Sequence, residues 1–170
     1  MRLYPAKIPV ITADIVRALT ADTDIEVGDT AEVEQDLASV LREYLRLDRE
    51  ISEKAKDRGE QIGANSSEVQ KIKRKFADDR NFGLGAEGIS WMLDQLIQML
   101  LRSNNVEEVF VEDAVLRRKM RAVLERNMAV DDDMEQEVRS KLKHLSEGTQ
   151  NWDVEYSKVM EQVKRRRGVE

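Results

Sequence analysis

Cysteine is absent from the 170-residue sequence. Without it there is no disulfide framework, no thiolate nucleophile and no cysteine-ligated zinc or iron–sulfur cluster. Histidine occurs once, at His144, which removes the zinc sites built on several imidazoles. Prolines number two and aromatic residues make up only 5% of the chain. Few helix breakers and few large flat side chains favour long helices. Positive charge is in deficit, with 28 Lys and Arg against 34 Asp and Glu and a formal net charge of −6. A general nucleic-acid binder shows the opposite balance, although local basic patches remain compatible with it. Long apolar runs are missing too. The most apolar stretch, Ile89 to Leu101, carries Asp94, Gln95 and Gln98 and is too short to span a bilayer. The start, Met1-Arg2-Leu3-Tyr4-Pro5, lacks the apolar core of a signal peptide. The expectation is a soluble, cytoplasmic protein in which the Asn65-Ser66-Ser67 sequon is coincidental.

What is present is charge and helical periodicity. Charged residues reach 36% and hydrophobic residues 41%, the composition of solvated helices with apolar stripes. Leu3 to Val10, punctuated by Pro5 and Pro9, reads as extended. Thr12 can cap a first helix whose inner face is Ile11, Ile15, Ala18 and Leu19. Asp29 and Glu32 have capping-box spacing. They open a helix with Val33, Leu37, Val40, Tyr44, Leu47 and Ile51 at alternating steps of four and three. That is a heptad seam, widened by Leu41 and Leu45 towards bundle packing. It should stop near Gly59, with a loop at Gly63-Ala64-Asn65. A short helix follows from Ser66 or Ser67, with Val69, Ile72 and Phe76 inward. A flexible corner at Asn81-Phe82-Gly83-Leu84-Gly85 leads into a helix over about 86–102, apolar on most of its circumference and therefore placed at the centre of the fold. Val109-Phe110-Val111 reads as extended. Helices are then expected over about 113–127, from Asp133 to a break at Glu147-Gly148-Thr149, and from Trp152 to Arg167.

The chain reads as an internal repeat. Val33 to Leu41 aligns without gaps on Met134 to Leu142, and Val16-Arg17-Ala18-Leu19 on Met120-Arg121-Ala122-Val123. Ile25-Glu26-Val27 falls near Met128-Ala129-Val130, and Asp48 to Ser52 echoes Asp153 to Ser157. Amphipathic Glu-rich helices resemble one another in any case, which is the plainer account. A duplication predicts an all-α bundle of two similar helix–loop–helix units around a central apolar helix, with the two triplets pairing as a minor short β ribbon. The segments would be a first helical repeat at 1–60, a connecting region at 61–103 and a second repeat at 104–170, together one compact domain.

On Met1-Arg2-Leu3, Ile15-Val16-Arg17-Ala18-Leu19, Ile25-Glu26-Val27 and the Asp36 to Tyr44 helix, the chain resembles a bacterial family known as domain of unknown function 507. The likeness is strongest over residues 1–55 and extends in weaker form through the second copy, so the chain looks like a tandem, double-length member. It departs from the pattern in the second copy, where Lys141 replaces the seam residue Val40. The resemblance implies helical structure and bacterial origin, and supplies no catalytic or ligand residue.

Tests for chemistry mostly fail. Counted as an EF-hand from Asp22, the acidic loop places Val27 where glycine and Val33 where glutamate are needed. Counted from Asp24 it places Asp29 and Gln35 there, and the Asp131-Asp132-Asp133 run fits no better. These acids suit helix N-termini instead. His144 aligns with Glu43 of the first copy and reads as a solvated residue. Gly83-Leu84-Gly85-Ala86-Glu87-Gly88 matches a dinucleotide-binding pattern by letter but follows no strand, so hinge glycines are the better reading. No catalytic, cofactor-binding or metal residue is assigned, no cofactor is expected, and the protein is expected not to be an enzyme.

Two surfaces remain. An adaptor binding another protein, or itself as a homodimer, would use Phe82 and Leu84 at the corner and Trp152 and Tyr156 on the last helix, although core packing explains that last pair as well. Three basic runs support an alternative, an RNA- or ribosome-associated protein. Its candidate contacts are Lys71, Lys73, Arg74 and Lys75, then Arg117, Arg118 and Arg121. The third run, Lys164 to Arg167, suits a helix C-terminus.

Overall fold

A computed structural model describes residues 2–146 and 149–168. Among them are six α-helices and one two-stranded ribbon. The helices are α1 (Ile8–Ala21), α2 (Thr30–Ile62), α3 (Ser66–Asp78), α4 (Ala86–Arg102), α5 (Asp113–Lys141) and α6 (Gln150–Arg167), and the strands are β1 (Ile25–Val27) and β2 (Val106–Val109). The all-α bundle with a minor ribbon is thus what the chain forms. No described helix is long and apolar enough to cross a membrane.

The chain divides into two compact units, one of residues 3–125 and one of residue 2 with 126–168. In the larger unit, α2 is the element against which α1, α3 and α4 all pack. Its start is fixed by Asp29, whose carboxylate accepts the Glu32 N–H at 3.1 Å, the cap the spacing predicts. The seam residues Val33, Leu37, Val40, Tyr44 and Ile51 are buried, while Leu47 is half-buried. The helix runs past Gly59 and stops at Gly63, whose φ of 67° is the left-handed C-terminal conformation that glycine adopts freely. At Gly59, inside the helix, α3 packs too closely for a side chain: a Cβ there would meet the Val69 side chain at 2.5 Å. Asn65 and Glu68 close a reciprocal capping box at the start of α3.

The ribbon differs from expectation. β1 pairs antiparallel with β2, Ile25 opposite Val109, Glu26 opposite Glu108 and Val27 opposite Val106, with an irregularity between Glu26 and Val27. The expected second triplet, Met128-Ala129-Val130, lies inside α5 and is helical. The 113–127 and 133–146 helices are likewise one helix: nothing between Asp113 and Lys141 is glycine or proline, so the chain has no obligatory breaker there. The second extended segment is Val106–Val109, rather than Val109 to Val111. Asp36 ties the ribbon's approach to α2, accepting from the Ser103 hydroxyl at 2.5 Å and the Asn105 amide at 3.2 Å.

The smaller unit is a hairpin of the C-terminal part of α5 with α6. Met134, Val138, Leu142 and Val163 form its buried core, and Leu145, Trp152, Tyr156, Val159 and Met160 pack against it half-buried. α6 starts at Thr149, whose hydroxyl accepts the Trp152 N–H at 3.2 Å. Glu147 and Gly148, in the expected break between these helices, lie outside the described residues.

Candidate functional site

α4 buries one broad face, Ile89, Met92, Leu93, Leu96, Ile97 and Leu100, in the larger unit. The other face is open. Ser90, Asp94, Gln98 and Leu101 are exposed, and Trp91, Gln95 and Met99 are half-buried. The near-continuous apolar run predicted enclosure on several sides; the structure instead leaves Leu101 58% exposed.

Trp91 holds its place through an aromatic cluster. Its ring centroid is 5.1 Å from Phe82, edge to face, and 5.6 Å from Tyr44. Tyr44 and Phe82 stack at 5.0 Å. Such contacts fix a ring's orientation beyond what area burial supplies. Burial pushes the Tyr44 phenol up to about 12, with a smaller push from the Asp48 carboxylate. The Tyr44 hydroxyl donates to the Gly83 carbonyl at 3.2 Å.

The glycines of the corner serve this packing. A Cβ on Gly83 would clash with the Glu87 backbone and lie 2.9 Å from Trp91 Cβ. One on Gly88 would clash with the Tyr44 hydroxyl. Gly85, with φ 56°, precedes the first residue of α4. The segment before these glycines is α3 and a turn rather than a strand, so a dinucleotide fingerprint is structurally out of place. The corner is also not a free surface: Phe82 is 4% exposed and Leu84 half-buried.

Three open clefts converge on Trp91. One of about 450 Å³ is lined by Asp78, Asn81, Phe82, Gly83, Glu87, Trp91 and Asp94. A second, about 320 Å³, runs along Trp91, Gln95, Ile97, Gln98 and Leu101 to Asp113 and Arg117 of α5. A third, about 200 Å³, lies between Trp91, Gln95 and Met99 and the α2 residues Ser39, Val40 and Glu43. All are open and partly polar, walled by helix side chains and, in the first two, by residues of the corner between α3 and α4.

The basic candidates are largely occupied by carboxylates. Lys73 pairs with Asp48 at 3.1 Å, Arg74 with Glu87 at 3.0 Å and Asp78 at 3.5 Å, and Arg117 with Asp94 at 2.6 Å. Arg121 reaches Glu125 at 3.5 Å and the Ser90 hydroxyl at 3.3 Å. Lys71, Lys75 and Arg118 are exposed. Lys119, inside the second basic run, bridges Asp22 and the buried Asp24. Its ammonium holds the Asp22 carboxyl below the ordinary range, first by the hydrogen bond and then by charge. The acids that invite an EF-hand count therefore pin the α1–β1 turn to α5.

On α6, Trp152 and Tyr156 stack at 4.8 Å, half-buried against the hairpin core. Arg139 lies over the Trp152 ring at 5.8 Å, and the Tyr156 hydroxyl donates to Glu135. The core-packing alternative for this pair is the one that matches its surroundings. His144 lies in the turn after α5 and is exposed. Among the described residues, no group of three or more His, Cys, Asp and Glu is placed to hold a metal ion.

The family model described as Protein of unknown function (DUF507) matches residues 1–169. The chain belongs to that family. The match runs through both proposed copies as one model. No curated protein matches the chain. The family's description assigns no function. Trp91 does not stand out in the sequence, because its neighbours Met92, Leu93, Leu96 and Ile97 make the whole segment read as core. The signal available was polar spacing: Asp94, Gln95 and Gln98 mark one side of α4 as outward.

Proposed function

We propose that this member of the family is a non-catalytic module that binds a partner protein through the open face of α4, with Trp91 as the anchor. The observation carrying this reading is a half-buried tryptophan, oriented by two other aromatic rings, where three clefts meet. Tryptophan is among the residues most enriched at the energetic centres of interfaces, because a fixed ring offers large contact area at little entropic cost. The exposed Leu101 extends the apolar surface along the same helix. The absence of cysteine suits a cytoplasmic setting. The RNA-associated alternative rests on Lys71, Lys75 and Arg118, since the other candidates already face carboxylates or a hydroxyl in the folded chain.

The test is site-specific photo-crosslinking in cells. A photoreactive residue at Gln95 or Gln98 should trap a discrete protein adduct, and one at Lys71 should not. Leu101→Glu, at a position 58% exposed to solvent, should remove the adduct while helicity by circular dichroism stays unchanged. Adducts formed equally from Lys71 and Gln98, or surviving Leu101→Glu, would sink the reading.

A further inference from the structure

Resting on that reading, we infer that the partner presents a cationic amphipathic segment, with an apolar anchor over Trp91 and Lys or Arg side chains over the flanking clefts. The argument is charge complementarity. The two larger clefts are lined by four carboxylates, those of Asp78, Glu87, Asp94 and Asp113. Two guanidinium groups stand among them, Arg74 bridging Glu87 and Asp78 and Arg117 on Asp94. Carboxylates are thus in surplus around the ring, on a chain whose net charge is already −6. Glu87 and Asp94 keep 59% and 53% of their side chains exposed despite those pairs, so both retain oxygens for a further donor. A second copy of the chain docking by the same face would set like charges against each other, which disfavours self-association through this surface.

The experiment is selection of displayed helical peptides on the full-length chain, with binders depleted on Trp91→Ala and, separately, on Leu101→Asn. The second variant alters an exposed side chain, so it does not rely on an intact aromatic cluster. Trp91- and Leu101-dependent binders should be enriched in Lys and Arg. As synthetic peptides they should lose about fivefold in affinity on Glu87→Gln with Asp94→Asn, an effect of about 1 kcal/mol. Their affinity should also fall as salt rises. Dependent binders that are neutral or acidic would overturn the cationic partner while leaving the interaction face intact. Selection that yields no binder dependent on either position would overturn both.

Discussion

A hydroxyl and a backbone meet at Gly88 with no room for a methyl group: a Cβ there would clash with the Tyr44 oxygen, itself hydrogen-bonded to Gly83. Adding even one carbon to a packed site forces side chains off their rotamers, at about 1–3 kcal/mol. Gly88→Ala is therefore expected to destabilise the protein by about that amount in urea unfolding. Because the obstruction is the Tyr44 hydroxyl, the loss should shrink in a Tyr44→Phe background, although Tyr44→Phe alone costs about 1 kcal/mol by leaving the Gly83 carbonyl unpaired. Additive losses from the two changes would show that the hydroxyl is not the obstacle. The same phenol has a pH signature. Its folded pKa of about 12 lies above the ordinary value of 10, so the folded state holds the proton more tightly than the unfolded state. The resulting stability is complete below pH 10 and is lost as the pH rises from 10 towards 12. Tyr44→Phe should flatten that part of the stability profile; unchanged alkaline sensitivity would mean another group is responsible.

At the scale of the element, one carboxylate of α5 serves two cations of α6 and one of its own helix. Glu137 pairs with Arg166, with Arg167 at 2.9 Å and with Lys141 at 3.2 Å. The Arg166 hydrogen bond contributes most to holding its carboxyl near 2, against an ordinary 4.5. A depressed folded pKa gives stability that is present above pH 4.5 and lost as the pH falls from 4.5 towards 2. Trp152 emission in a Trp91→Phe chain should report part of the hairpin loosening across that window. The difference between this chain and its Glu137→Gln counterpart isolates the clasp from other titrating acids. Superimposable acid profiles would show that the clasp contributes nothing.

Other elements show where the sequence is legible. Caps and seams could be read because Asp29, Glu32 and the Val33–Ile51 periodicity act within one or two turns. The continuity of α5 was not, because Asp131-Asp132-Asp133 looks like a turn and a new cap. Aspartate costs a helix only about 0.7 kcal/mol per residue relative to alanine, and no glycine or proline compels a break. Strand pairing is equally opaque, since β1 meets β2 through residues as distant in sequence as Ile25 and Val109 by tertiary packing, which local pattern does not encode. The Trp91 site failed for the related reason that exposure belongs to the assembled bundle.

Taken as a whole molecule, the chain carries one tryptophan in each compact unit, Trp91 in residues 3–125 and Trp152 in 126–168. The units differ greatly in apolar support. The larger one buries Ile11, Ile15, Leu19, Leu37, Leu41, Ile51, Met92, Leu93, Leu96 and Leu100 almost completely. The core cluster of the hairpin is Met134, Val138, Leu142 and Val163. Each fully buried side chain of this kind is worth about 1.5–3 kcal/mol against leaving it in water, and hydrogen exchange shows that regions with few such contacts open first. Two single-tryptophan chains, Trp91→Phe and Trp152→Phe, separate the signals. In urea the chain reporting through Trp152 should show the lower midpoint. Exchange of α6 amides should be correspondingly faster than that of the buried α2 segment from Val33 to Ile51. Coincident midpoints, together with equal protection in α2 and α6, would mean that the chain unfolds as one cooperative body and that the hairpin draws stability from more than its own core.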